Sequence, residues 1–158
     1  MGVMTKTGDD GSTGIAGTRV EKDSVLIETL GTLDELQSSI ILVQAENQMD
    51  KKEWEALTLD LVNFCSLLAG FEVREFDAFK RVEFLEDEIA QSQDAFRGFV
   101  YPFDDVTNAR LHWLRSIVRR AERQVVRLGR IQELPLGLSV YLNRLSDYMF
   151  TRIKFIRK

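Results

Sequence analysis

The run Thr5-Lys6-Thr7-Gly8-Asp9-Asp10-Gly11-Ser12-Thr13-Gly14-Ile15-Ala16-Gly17-Thr18-Arg19 gathers residues suited to holding a ligand. Its four glycines let backbone N–H groups approach closely. Lys6, Ser12 and the threonines add a cation and hydroxyls, a combination that suits a polyphosphate carrying Mg²⁺. With almost no apolar residues, the run is expected to be an irregular loop rather than a core helix or a half-buried strand. It is neither a G-x-x-x-x-G-K-S/T nor a G-x-G-x-x-G pattern. On its own it fits a hydrophilic chain end as well as a phosphate cradle.

Farther along, Arg115, Arg119 and Glu122 recur at i, i+4 and i+7. On a wheel of about 100° per residue they share one edge of an apolar stripe, where arginines must find carboxylate or phosphate partners to offset desolvation. Arg120, Arg123 and Arg127 lie farther round, towards solvent or another subunit. A later segment places Asn143, Ser146, Asp147 and Phe150 on one strip beside its own stripe, and an asparagine in mid-helix is unfavourable unless its side chain is used. Asp34 and Glu35 follow an unusual Gly31-Thr32 pair; Glu35 reads as a plain surface carboxylate. His112 reads as a surface or satisfied histidine, since no second His completes a tetrahedral metal site. Cys65 has no plausible base beside it. Any reaction here therefore rests on positioning and electrostatics around a bound ligand.

Helices must carry these groups. The sequence has 158 residues with 44% apolar content, enough for one domain with a real core, and two prolines outside its long periodic segments. Lys22-Asp23-Ser24 starts a first helix running to about Glu46, with Gly31 inside it wanting a reason such as a closely approaching neighbour. After a turn at Asn47 to Asp50, a second helix ends near Gly70, and Phe79, Val82, Leu85 and Ile89 signal a third. Phe99 to Asp105 is an aromatic connection whose aspartates can cap a fourth helix running to about Arg130. Pro135 is expected to open a fifth. Five long helices with short connections imply an all-α, antiparallel five-helix bundle, with ligand sites built from facing helices.

A net charge of −4 argues against non-specific binding to nucleic acid or an anionic membrane. One cysteine, no leader pattern and no long apolar run fit a cytoplasmic chain with a buried, reduced thiol at Cys65.

Five ordered blocks now carry a resemblance. Thr5 to Gly14, Arg19-Val20-Glu21-Lys22-Asp23, Gly31-Thr32-Leu33-Asp34-Glu35-Leu36, Arg119-Arg120-Ala121-Glu122-Arg123 and Tyr141 to Phe150 resemble the signature blocks of the PduO-type ATP:cob(I)alamin adenosyltransferases. The resemblance implies a ferritin-like bundle over residues 22–158, an ATP-binding loop over 1–21, and a homotrimer with intersubunit sites. It also implies transfer of the 5′-deoxyadenosyl group of ATP to the Co(I) of a corrinoid, giving adenosylcobalamin and triphosphate. Thr5, Lys6, Thr7, Gly8, Thr13, Gly14 and Lys22 match the loop-side contacts to ATP. Arg119, Glu122, Arg123 and Asn143 match those from the helices, with Mg²⁺ bridging phosphates. Arg115 and Asp34 match an intersubunit salt bridge that supports the site, and Phe99 the aromatic that covers the lower corrin face. The loop is expected to order on a neighbouring subunit when ATP binds, and the product to pass to an adenosylcobalamin-dependent enzyme.

Three departures stand out: Phe103-Asp104-Asp105 replaces a Gly-Gly-Ser/Thr turn, Val118 replaces a cysteine, and the chain stops soon after the fifth helix. An ATP-binding regulatory protein with lost or altered corrinoid activity is the competing reading, and a purely structural helical oligomer the third.

Overall fold

The computed structural model describes residues 6–47, 49–92 and 101–153. A hairpin of β1 (Ser12–Ile15) and β2 (Thr18–Glu21) precedes five helices: α1 (Val25–Asn47), α2 (Lys51–Leu68), α3 (Ala78–Gln91), α4 (Val106–Leu128) and α5 (Leu138–Arg152). Aspartates start three of them. Asp50 accepts from Lys52 N and Glu53 N, Asp77 from Phe79 N and Lys80 N, and Asp105 from Asn108 N. Each cap satisfies amides that the helix itself leaves open and contributes about 1 kcal/mol. Asp105 thus performs the capping expected of the aspartate pair.

α1 packs against α2 and α4, α4 against α5, and α5 against α3. Side-chain pairs give the directions. Glu46–Arg110 and Glu35–Arg120 set α1 antiparallel to α4, while Glu86–Arg144 and Glu88–Arg152 show α3 and α5 running the same way. The apolar stripes meet in one continuous core, with Leu36 and Ile40 of α1, Leu61 and Phe64 of α2, Leu114 of α4 and Leu145 of α5 fully buried. No described helix is long and apolar enough to cross a membrane.

Three expectations change. The N-terminal run is irregular only over residues 6–11, and beyond them a β-hairpin forms: Ser12 pairs with Glu21 and Ile15 with Thr18 across a turn at Ala16 and Gly17, both at positive φ. That two-residue turn matches strand twist, and the polar strands hid the alternation that normally marks a strand. Pro135 does not open α5. Its carbonyl accepts from Leu138 N in a turn, and Gly137 at φ 80° is the N-cap, where a Cβ would meet Ala78 Cβ at 2.9 Å. Gly31 has no neighbour within 4 Å of where its Cβ would be, so close packing inside this chain does not explain it.

The core also holds a polar cluster that periodicity did not reveal. Asp60, 4% exposed, accepts from Arg81 Nε at 2.8 Å on both carboxylate oxygens and from the buried Tyr141 hydroxyl at 2.8 Å. Burial raises the Asp60 pKa, with Arg81 and Tyr141 pulling it back down, and burial beside that carboxylate pushes Tyr141 well above its ordinary value. One carboxylate thereby ties α2, α3 and α5 together.

Candidate functional site

The seam between α4 and α5 assembles most of the helix-side residues. On α4, Asn108, His112, Arg115, Arg119 and Glu122 recur every three or four residues and form one strip. On α5, Asn143, Ser146 and Phe150 form the facing strip. Asn143 Nδ2 donates to Glu122 Oε1 at 3.2 Å, and Arg119 Nη1 lies 2.8 Å from Glu122 Oε2. The second contact is an ion pair without hydrogen-bond alignment, so among the described residues that buried oxygen lacks a directed donor. The Arg115 guanidinium lies 5.5 Å from the centre of the Phe150 ring. The structure thus brings Arg119, Glu122 and Asn143 together; Arg123 faces solvent one residue farther on.

Besides that Glu122 oxygen, Ser146 Oγ and His112 Nε2 on the seam are buried with no hydrogen-bond partner among the described residues. His112 is half-buried rather than fully exposed. Its place on the strip turns one nitrogen inward, a consequence of helix phase rather than of residue type. Arg120 pairs with Glu35, which leaves both as surface groups between α4 and α1.

The hairpin forms a second polar centre. Arg19 donates from Nε to Ser12 Oγ at 2.8 Å and from Nη2 to the Thr7 carbonyl at 2.5 Å, and pairs with Asp10 at 3.1 Å. Ser12 donates its N–H and hydroxyl to Asp10, and these bonds hold the Asp10 carboxyl below its ordinary value. Lys22 Nζ donates to the Gly8 carbonyl at 2.6 Å. A Cβ on Gly8 would lie 3.1 Å from Ser12 O and 3.2 Å from Lys22 Nζ, so glycine is what lets the ammonium reach this turn. Thr13 and Gly14 lie on β1, and Lys6 and Thr7 are exposed at its approach. The turn gathers cations, hydroxyls and a close-approach glycine, a donor set that fits a polyphosphate.

These bonds of Asp10, Arg19 and Lys22 close within the hairpin, whereas those of Arg119, Glu122 and Asn143 close between helices. No hydrogen bond or ion pair among the described residues links the two centres. Asp34 and Arg115 are also apart: Asp34 is exposed beside Cys65 and Gln37 between α1 and α2, and Arg115 lies on the α4–α5 seam. Cys65 is half-buried rather than fully buried, and burial with the nearby Asp34 charge pushes its thiol up to about 11, so it stays protonated. Thr5 and Phe99 lie outside the described residues. At the start of α4, Tyr101 and Phe103 stack at 6.3 Å in an exposed turn.

Comparison with known proteins gives the arrangement a context. The model of the family described as cobalamin adenosyltransferase matches residues 3–156. A corrinoid adenosyltransferase of Bacillus subtilis (strain 168) is 38% identical, over 99% of this chain and 86% of that protein. The Homo sapiens corrinoid adenosyltransferase MMAB is 33% identical, over 97% of this chain and 68% of its own length. Among solved structures, a variant PduO-type ATP:corrinoid adenosyltransferase from Lactobacillus reuteri, complexed with cobalamin and ATP, superposes with a TM-score of 0.84 at 27% identity. The alignment covers 95% of this chain and 88% of that one. A family model matching residues 3–156, together with a relative 38% identical over 99% of the chain, places this chain in the cobalamin adenosyltransferase family.

Proposed function

We propose that this protein transfers the 5′-deoxyadenosyl group of ATP to the cobalt of a reduced corrinoid, releasing triphosphate. The observation that carries this reading is the Arg119–Glu122–Asn143 cluster on the α4–α5 seam. It offers a fork of donors, a carboxylate and an amide where helices alone hold them rigid. A reduced corrinoid supplies the nucleophile, its cobalt, which forms a bond to C5′ as the C5′–O bond to triphosphate breaks. The chain's own residues bind, orient and neutralise. Arg119 and Arg123 face the triphosphate, whose charge grows as it leaves, and Lys6, Lys22 and the hairpin amides hold its other side. Mg²⁺, carried in by ATP, would neutralise phosphate charge, and the Glu122 oxygen that lacks a directed donor would accept from a nucleotide hydroxyl or from water near the phosphates.

With no bond linking the two centres within a chain, one subunit's hairpin lies against the α4–α5 seam of the next in this reading, in a homotrimer. The Asp34–Arg115 pair then forms across that interface, and Phe99 covers the lower corrin face. The protein works in the cytoplasm and passes its product to an adenosylcobalamin-dependent enzyme.

A second reading draws on Phe103, which is 92% exposed where the family has a small turn. In it, the chain binds ATP but has lost corrinoid turnover. Asp105 weighs against that reading, since its charge is engaged in capping α4. Anaerobic incubation with ATP, Mg²⁺ and chemically reduced cob(I)alamin decides between them. The visible spectrum of adenosylcobalamin is the expected product, and ATP binding by calorimetry without that spectrum would establish the second reading instead.

A further inference from the structure

Asn143 is the middle link of a polar chain that begins on another helix. Glu86 Oε1 on α3 accepts from Arg144 Nε at 2.7 Å, and Arg144 Nη1 donates to Asn143 Oδ1 at 2.7 Å. Asn143 Nδ2 then donates to Glu122 Oε1 at 3.2 Å, with Arg119 Nη1 closing the chain on the other Glu122 oxygen at 2.8 Å. Five residues from α3, α5 and α4 are joined in one line.

The chemistry of the middle link makes this chain directional. A terminal amide carries an acceptor at one end and donors at the other, and its last torsion is broad and nearly two-fold, so packing alone does not choose between its flip states. Here the two ends face opposite chemistries. A guanidinium only donates and a carboxylate only accepts, so a single flip state satisfies Arg144 and Glu122 together. That state leaves the second Nδ2 hydrogen available to a ligand on the seam.

We propose that Glu86 and Arg144 are positioning residues for adenosyl transfer: they act through Asn143, locking its amide so that it presents a donor to the nucleotide. The proposal rests on the ATP site argued above and adds α3 to the machinery that supports it. Arginine suits this place because its planar fork serves two partners at once, Nε for Glu86 and Nη1 for Asn143, which a lysine ammonium on a flexible stem does less well. A bland account, a half-exposed ion pair between α3 and α5, covers the Glu86 contact, since the side chains are 47% and 35% exposed and such pairs contribute little. It does not cover the Arg144–Asn143 contact, which points into the site.

The test separates the two accounts. ATP affinity by calorimetry, KM for ATP, kcat and melting temperature are measured for Glu86→Ala, Glu86→Gln, Arg144→Met and the swap Glu86→Arg/Arg144→Glu. Glu86→Ala and Arg144→Met should weaken ATP binding and raise its KM by about five- to twentyfold, with a smaller change in kcat. Glu86→Gln keeps an acceptor for Nε and should stay within about twofold of wild type. The swap restores an ion pair between α3 and α5, and with it the melting temperature. Its carboxylate cannot donate to Asn143 Oδ1, so ATP affinity stays impaired. If Arg144→Met does not fold, Arg144→Lys keeps the charge towards Glu86 and is expected to show the same loss of affinity. Lys51→Ala, in an exposed pair with Glu55, is the unaffected control. Wild-type affinity in Glu86→Ala and Arg144→Met, or a swap that recovers affinity together with stability, would overturn the proposal. Failure of the ATP-site reading looks different, because wild-type protein would then show no ATP binding in the same measurement.

Discussion

Replacing Arg119 by alanine separates the electrostatics of the site from the stability of the fold. The Arg119 side chain is 43% exposed and that of its partner Glu122 17%. An ion pair so placed contributes about 0–1 kcal/mol, so the melting temperature of the variant should stay within about 3 °C of wild type. Function should respond far more. The substitution removes a donor fork from the triphosphate side, a loss of about 1.5–3 kcal/mol for a charge-assisted contact. It also leaves the Glu122 carboxylate, still hydrogen-bonded by Asn143 at 3.2 Å, without its counter-cation. A bare carboxylate about 5 Å from a phosphate charge at an effective dielectric near 20 repels it by about 3 kcal/mol before ionic screening. Screening and side-chain relaxation reduce that sum, and a loss of about 100-fold in kcat/KM for ATP is the expected outcome. The assay is anaerobic adenosylcobalamin formation with ATP varied, alongside a thermal melt. Arg119→Lys keeps the charge without the fork and should fall between. An alanine variant within about threefold of wild-type kcat/KM, with an unchanged melting temperature, would refute the site assignment.

Asp60→Ala should be the converse, a stability defect. It leaves the Tyr141 hydroxyl buried without an acceptor and the Arg81 guanidinium unpaired, at a cost of about 3 kcal/mol and a fall of about 6–12 °C in melting temperature. Because burial raises the Asp60 pKa above its ordinary 3.8, its contribution is fully present below 3.8 and is lost as pH rises through the folded value. The stability gap between wild type and the variant should therefore widen as pH falls from neutral towards 4, and a gap that narrows in urea titrations across that range contradicts the buried carboxyl. Cys65, with its thiol pushed up to about 11, should react slowly with iodoacetamide at pH 8 and speed up only as pH approaches that value. Amide exchange over residues 6–22 should slow when ATP and Mg²⁺ are added to associated subunits; equal exchange with and without nucleotide counts against a hairpin that clamps a ligand.

The five helices were legible because each carries its own record in the chain. Leu33, Leu36 and Ile40 recur with the helical period, and Asp105 marks where α4 begins, whereas the matching caps at Asp50 and Asp77 were seen only in the structure. Local phase also put Arg119, Glu122 and Asn143 at the margin of the core, since residues three and four apart must share a face. The hairpin escaped because its strands are short and polar, and positive φ at Ala16 and Gly17 decides their pairing more than any apolar alternation.

Composition, helix phase and the residue types available for binding a charged ligand are local properties that the chain carries residue by residue. Which of those faces meet is settled by the packing of the five helices. Asp60, Arg81 and Tyr141 sit far apart in the chain and look unremarkable one by one, and the same is true of Glu86 and Glu122, which reach Arg144 and Asn143 from different helices. Contacts of that kind depend on how helices are arranged about a common core. Spacing along one helix cannot encode that arrangement, because the partners of a side chain on a neighbouring helix are set by packing rather than by sequence distance.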